Sequence, residues 1–407
     1  MALACHGLVR SLPLLGAPPA TPAPAHPLLG KGFRPFFLLG AVYAAAMVPL
    51  WLLVLLGSTT VSGPLEPVAW HAHEMVFGFA AAIVAGFLLT AVGNWTGRET
   101  ATGPALLGLV VLWAAGRLAL SLPLPRGVGA VVDLAFLPAL AVVIGRPLVL
   151  ARSRRNAVML VALLALWLAN LAVHLGSLGV LPGGQRTGAL VGVDVITLLV
   201  VIIAGRVVPM FTRNATGDES VRSHPRLDVL AALATASVVL VDAASSGPLA
   251  TVLACAVAAV AVASRTIHWG AARATRIPLV LVLHAGHAWI PIGFGLRALS
   301  ALDGTIPAAI GVHAITAGAI GSMTLGMMAR VALGHTGRAL VPPRSVALAF
   351  ALVTAAALVR VTVPLFAPGL YSGALQISAA LWAAAFALYC VAYGPILASP
   401  RVDGKPG

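Results

Sequence analysis

Residues 70–92 read WHAHEMVFGFAAAIVAGFLLTAV. His71, His73 and Glu74 stand at the head of a run from Met75 to Val92 that carries no charge. A run of about 18 or more apolar residues is long enough for a helix to cross the hydrocarbon core of a membrane. The stretch therefore predicts a membrane helix with three ionisable groups at its mouth. The rest of the chain follows the same pattern: 60% of its 407 residues are hydrophobic and only 9% are charged. A soluble domain carries roughly 25% charged residues, so this chain lacks the polar groups to cover a water-facing surface. In lipid each span must satisfy its own backbone hydrogen bonds, which means helices, and the alternating pattern of a barrel strand is absent.

The predicted fold class is all-α: a polytopic membrane helix bundle of about twelve spans. They fall at roughly 36–57, 70–93, 104–121, 128–150, 157–180, 187–210, 228–244, 248–265, 277–300, 305–330, 345–366 and 372–397. No internal repeat is legible. The Pro/Ala-rich residues 1–30 lack the apolar core of a signal peptide and read as a disordered cytoplasmic tail. Residues 31–400 read as a single transmembrane domain. Basic residues gather in alternate connections: Lys31 and Arg34, then Arg152, Arg154 and Arg155, then Arg213, Arg222 and Arg226, then Arg273 and Arg276, then Arg338 and Arg344. Intervening loops such as GSTTVSGPLEPVA (57–69) are poor in them. The positive-inside rule then puts both termini in the cytoplasm. The net charge of +14 reflects these loops. It forms no basic stripe with interleaved aromatics, and nucleic acid is not an expected partner. The three cysteines, Cys5, Cys255 and Cys390, form no CxxC pair; the last two read as packing residues.

Ionisable residues within spans are costly and mark sites. Of eleven histidines, six fall within spans at depths that suggest a site: His71, His73, His174, His284, His287 and His313. Neutral imidazole is the commonest metal-ligating side chain, and the predicted spans deliver most of these rings to the outer half of one bundle. His71 and His73, two apart, point about 200° apart around a helix, so they serve opposite sides of it. His284 and His287, three apart, share a face. Glu74 reads as a proton carrier or a partner of a ligand, or as an interfacial residue facing water. Arg117 reads as a cation for a haem propionate, or as half of a structural pair with Asp133. His174 reads as a metal ligand or as an interhelical hydrogen-bond donor. The residues support a haem or metal site and do not choose between the two.

Five stretches carry a resemblance: GFRPFF (32–37), WHAHEM through NWTG (70–97), GRVVPMFTRN (205–214), LHAGHAW (283–289) and HAITAGAIG through HTGR (313–338). In this order they resemble the NnrS family of bacterial inner-membrane proteins. Gly93 stands where that family often has proline. The resemblance implies b-type haem and copper, and a role in nitric oxide stress or denitrification. It carries the family's motif histidines onto His71, His73, His284, His287 and His313. Haem–copper oxidases and nitric oxide reductases offer a looser architectural likeness. The expected function is redox chemistry on nitric oxide or iron-nitrosyl species, with Glu74 catalytic and an unidentified electron donor. The alternatives are a transporter of a metal, haem or nitrosyl-iron complex, and a haem store or sensor without turnover. Membrane lipids are the remaining expected partner.

Overall fold

The structure is a computed structural model that describes residues 26–405. Most of the expected tail, with Cys5 and His6, lies outside the described residues. Its last part is ordered: Pro27–Leu29 form one 3₁₀ turn, capped by the His26 ring, which accepts from the Leu28 amide.

The described chain is helical, with no strand among the described residues. Twelve helices follow one another: α1 Phe33–Leu55, α2 Pro67–Thr96, α3 Gly103–Ala119, α4 Arg126–Leu150, α5 Arg154–Ser177, α6 Gly184–Thr216, α7 Pro225–Ala243, α8 Pro248–Ser264, α9 Pro278–Asp303, α10 Ala308–His335, α11 Arg344–Phe366 and α12 Pro368–Ala398. Nine of them are long and apolar enough to cross a membrane. Of the others, α3 and α8 have 17 residues each, and α7 carries Arg226, Asp228 and Asp242. Proline opens α2, α7, α8 and α9, where its fixed φ suits a first turn and its missing N–H costs nothing. The start of α1 meets the end of α12: Arg34 donates to the carbonyls of Leu397 and Ser399, at 2.7 Å each. Both ends of the described chain therefore lie on one face, here called the terminal face; the opposite face is the distal face.

A repeat absent from the sequence pattern is plain in the helix boundaries. The helices form three groups of four, α1–α4, α5–α8 and α9–α12, whose corresponding starts are 117 to 124 residues apart. The second helix of each group ends alike. Thr96, Thr216 and Thr336 each donate a hydroxyl hydrogen bond to the carbonyl four residues back, at 2.7, 2.8 and 2.6 Å. Each is followed by a left-handed glycine, Gly97, Gly217 or Gly337, with φ of 63°, 70° and 75°. These helices, α2, α6 and α10, surround a pseudo-threefold axis. One apolar cleft on it is lined by equivalent triplets, among them Ile83, Ile203 and Met323, then Val84, Ala204 and Thr324. Because each group holds an even number of helices, the three groups run parallel.

Two of the central helices change winding at the same place. After His73, residues Glu74–Ala80 form a π-helical turn; after His313, so do Ala314–Ile320. Such turns are rare and frequent at functional sites. Neighbouring helices within a group pack over glycine. A Cβ on Gly188 of α6 would come within 2.4 Å of the Ala169 carbonyl oxygen and 2.8 Å of the Val173 nitrogen, both backbone atoms of α5. Close helix approach over small residues is how membrane helices gain packing energy. Gly188→Val is expected to lose at least roughly 1–3 kcal/mol, read as a lowered thermal unfolding midpoint in detergent. Gly108→Ala, a position with nothing within 4 Å, is the control and should leave the midpoint in place.

Candidate functional site

The two histidines of WHAHEM leave α2 on opposite sides, as their spacing predicts. His73 enters a fully buried polar centre near the distal face. Its Nδ1 lies 3.0 Å from Glu74 Oε1, and its Nε2 lies 2.8 Å from Asn170 Oδ1 and 3.1 Å from Asp133 Oδ2. Both ring nitrogens face acceptor oxygens, so each is placed to donate and neither offers a free lone pair. Arg117 of α3 donates through Nη1 to both Glu74 oxygens at 2.9 Å and pairs through Nη2 with Asp133 Oδ1. Tyr43 of α1 donates to Glu74 Oε2. Asn170 and His174 of α5 both reach Asp133 Oδ2, at 2.8 and 2.9 Å. Five helices thus close one network around two carboxylates and one guanidinium.

This centre joins Glu74, Arg117, His73 and His174. Arg117 is held between two carboxylates, which realises the structural pair with Asp133 and leaves little of the guanidinium for a propionate. His73, Asp133 and His174 also form the one set among the described residues whose ligand atoms lie within 4.8 Å of one another. A divalent ion there would sit beside the Arg117 guanidinium on a shared carboxylate, which opposes binding.

His71 turns the other way. Its ring stacks on Trp51 of α1, centroids 4.6 Å apart at 11°, and it lies within electrostatic reach of His313 and Arg360. His313 of α10 is oriented by its own helix: Nδ1 donates to the Ala309 carbonyl at 2.7 Å. A backbone acceptor on one ring nitrogen is the usual way a protein fixes the tautomer that leaves the other for a metal. Arg360 of α11 lies 3.4 Å from His313 Nε2 and has no carboxylate within ion-pair distance among the described residues.

The third pair stands apart. His284 and His287 lie in the terminal-face half of α9, against Trp269 of the α8–α9 loop, with ring centroids 6.4 and 4.6 Å away. The structure does not bring them to the distal histidines. Thr212 Oγ1 spends its hydrogen on the Val208 carbonyl, so His284 Nε2, 2.9 Å away, is the donor between them. His287 is 1% exposed and neither ring nitrogen has a partner. A buried polar group without a partner is costly and calls for a ligand.

Sequence reading missed several of these residues. Arg360 stands in ALVRVTV (357–363), and an intramembrane arginine was signal enough to find it. Tyr43, Asn170 and Trp269 have no pattern that separates them from packing residues. Also missed was a second clasp, in which Arg297 of α9 donates to Asp194 at 2.6 Å and pairs with Asp242. Asp194 stands 120 residues after Glu74, so the first two repeats each place a carboxylate at the same point; in the second, the arginine across two carboxylates comes from α9 of the third group. The third repeat has Ala314 there, beside His313.

Removing one member of a buried ionic set leaves the others uncompensated. Arg117→Met should therefore cost about 3–5 kcal/mol in thermal unfolding, and adding Glu74→Gln and Asp133→Asn should recover most of the loss. A single variant as stable as the parent would show that the network does not exist.

No curated protein matches the sequence. A family model described as "NnrS protein" matches residues 27–401, from the 3₁₀ turn before α1 to past the end of α12. With all three groups of helices inside the match, the chain belongs to the NnrS family.

Proposed function

We propose that this protein is a haem- and copper-binding redox protein of the bacterial inner membrane, acting on nitric oxide or iron-nitrosyl species in nitrosative stress and denitrification. Its twelve helices all cross, with the terminal face in the cytoplasm. Membership of the NnrS family suggests the link to nitric oxide. The observation that carries the cofactor assignment is the state of two histidines. His313 has one ring nitrogen tied to Ala309 and the other turned toward Arg360, and His287 is buried with both nitrogens unpartnered. These donors fit iron and copper, whereas His73 is committed to oxygens on both sides.

In this reading His71 and His313 hold the haem, with Trp51 stacked on one ring and Arg360 supplying the cation for a propionate. His287, with His284 one turn away, holds copper. With one of these two histidines as its ligand and the other beside it, haem would supply nitric oxide binding, and copper at the separate His287 site would supply or store an electron. The chain's contribution is orientation and protons. The Arg117 network holds Glu74 at the root of the π turn, between His71 and the buried centre. Two carboxylates against one guanidinium balance electrically when His73, placed to donate from both ring nitrogens, carries a second ring proton, so the centre can store a proton. Transport of a metal or a nitrosyl complex is the second reading.

The deciding experiment is a reduced-minus-oxidised spectrum of the purified protein, with and without nitric oxide, alongside iron and copper analysis. A b-type spectrum that shifts with nitric oxide, with near-stoichiometric iron and with copper present, is expected. A colourless protein without iron overturns the redox reading and makes metal uptake the next assay. His71→Ala and His313→Ala should each weaken haem retention by at least about tenfold, and His287→Ala should do the same to copper. If all three variants insert and keep both cofactors, the assignment is wrong. Glu74→Gln should keep both cofactors and slow nitric oxide turnover by roughly 10²–10⁴; unchanged turnover would remove Glu74 from the proton path.

A further inference from the structure

The three equivalent ends of α2, α6 and α10 differ in one respect. After Gly217, the Asp218 carboxylate pairs with Arg273 and accepts from the Ser220 amide at 2.9 Å. These hydrogen bonds from Ser220, with Arg273 beside them, hold the Asp218 carboxyl below its usual range. At Gly337, the Asp403 carboxylate takes the corresponding place: a Cβ there would meet its atoms at 2.9–3.1 Å. Asp403 is paired with Arg401, which in turn donates to the His335 carbonyl. At Gly97, as at Gly217, nothing approaches within 4 Å of the glycine, but no carboxylate at this end pairs with a cation among the described residues. A pocket opens there instead, lined by Lys31, Thr90, Asn94, Arg98, Glu99 and Thr100 among others.

The surroundings of that pocket are cationic. Among the described residues neither Lys31 nor Arg98 lies within ion-pair distance of a carboxylate, and Glu99, exposed at the rim, pairs with neither. The first turn of α1 borders it, since the Phe33 amide donates to Thr90 Oγ1 at 3.2 Å. Two of the three equivalent sites supply their own carboxylate. The first supplies a space with two cations unpaired among the described residues, Lys31 and Arg98, and an exposed Glu99 that pairs with neither.

We propose that the pocket at the end of α2 binds a phosphate group, coordinated by Lys31 and Arg98 at the level of the lipid headgroups on the terminal face. Phosphate oxygens match both side chains: a guanidinium fork and an ammonium point charge. Basic pockets between membrane helices at that depth take anionic headgroups, and a soluble phosphate offers the same oxygens. The site is independent of the haem and copper assignment.

The test is thermal unfolding of the delipidated full-length protein in detergent, with phosphatidylglycerol, phosphatidylcholine or inorganic phosphate added. Phosphatidylglycerol is expected to raise the midpoint by at least about 2 °C, and phosphatidylcholine to leave it unchanged. A rise with inorganic phosphate alone supports the site and names the soluble anion as its source. The Lys31→Gln/Arg98→Gln double variant should lose the rise. Arg154→Gln/Arg155→Gln, which removes the same charge from another connection on that face, should keep it. The proposal is overturned by no rise with either anion, or by an equal rise in the Lys31/Arg98 variant.

Discussion

A backbone surrounded by hydrocarbon has no water to hydrogen-bond to, and every peptide group must be satisfied within its own helix. That constraint shapes the whole molecule. It makes each apolar segment a helix, confines irregular chain to the two faces, and makes any charge inside the bundle answerable to another charge inside it. The polar interior obeys the last condition locally. Arg117 is clasped by Glu74 and Asp133, and Arg297 by Asp194 and Asp242. Among the described residues Arg34, Arg330 and Arg360 have no carboxylate: Arg34 donates to backbone carbonyls, Arg330 lies over the Phe211 ring, and Arg360 faces His313. An unbalanced guanidinium next to a histidine with a fixed tautomer is what a site for an anionic, metal-bearing group needs.

The threefold repeat explains how one chain holds several such centres without crowding them. Each group of four helices presents its second helix to the axis, and the axis itself is lined with apolar side chains. The polar sets stand off it: Arg117 with Glu74 and Asp133 inside the first group, Arg297 of the third group with Asp194 and Asp242 of the second, and His284 with His287 toward the terminal face. The repeats share a frame and differ in chemistry. Position 74 is glutamate, its counterpart 194 is aspartate, and 314 is alanine beside His313. The π turns occur in the two central helices that carry histidine, α2 and α10, and not in α6.

The repeat was illegible in the sequence for a physical reason. In a membrane bundle most positions ask only for an apolar side chain of suitable volume, so Ile83, Ile203 and Met323 satisfy one structural demand with little identity. What is retained is the stop signal, Thr followed by a left-handed Gly, because few residues accept a positive φ. Two residues in 120 are too few to read without the helix boundaries beside them.

The sequence by itself determined that the chain is a bundle of apolar helices and, to within a few residues, where most of them fall. Apolar run length, proline and glycine are local quantities, and local quantities fix helices. It also determined that His71 and His73 face opposite ways, because 100° per residue requires it. Only the tertiary structure decided which groups meet. His73 lost its freedom to Glu74, Asp133 and Asn170, His313 was oriented by Ala309, and His284 and His287 were carried to Trp269 on another part of the bundle. Those outcomes depend on how helices far apart in sequence rotate and pack against each other, and no spacing along one helix encodes the face that its neighbour presents.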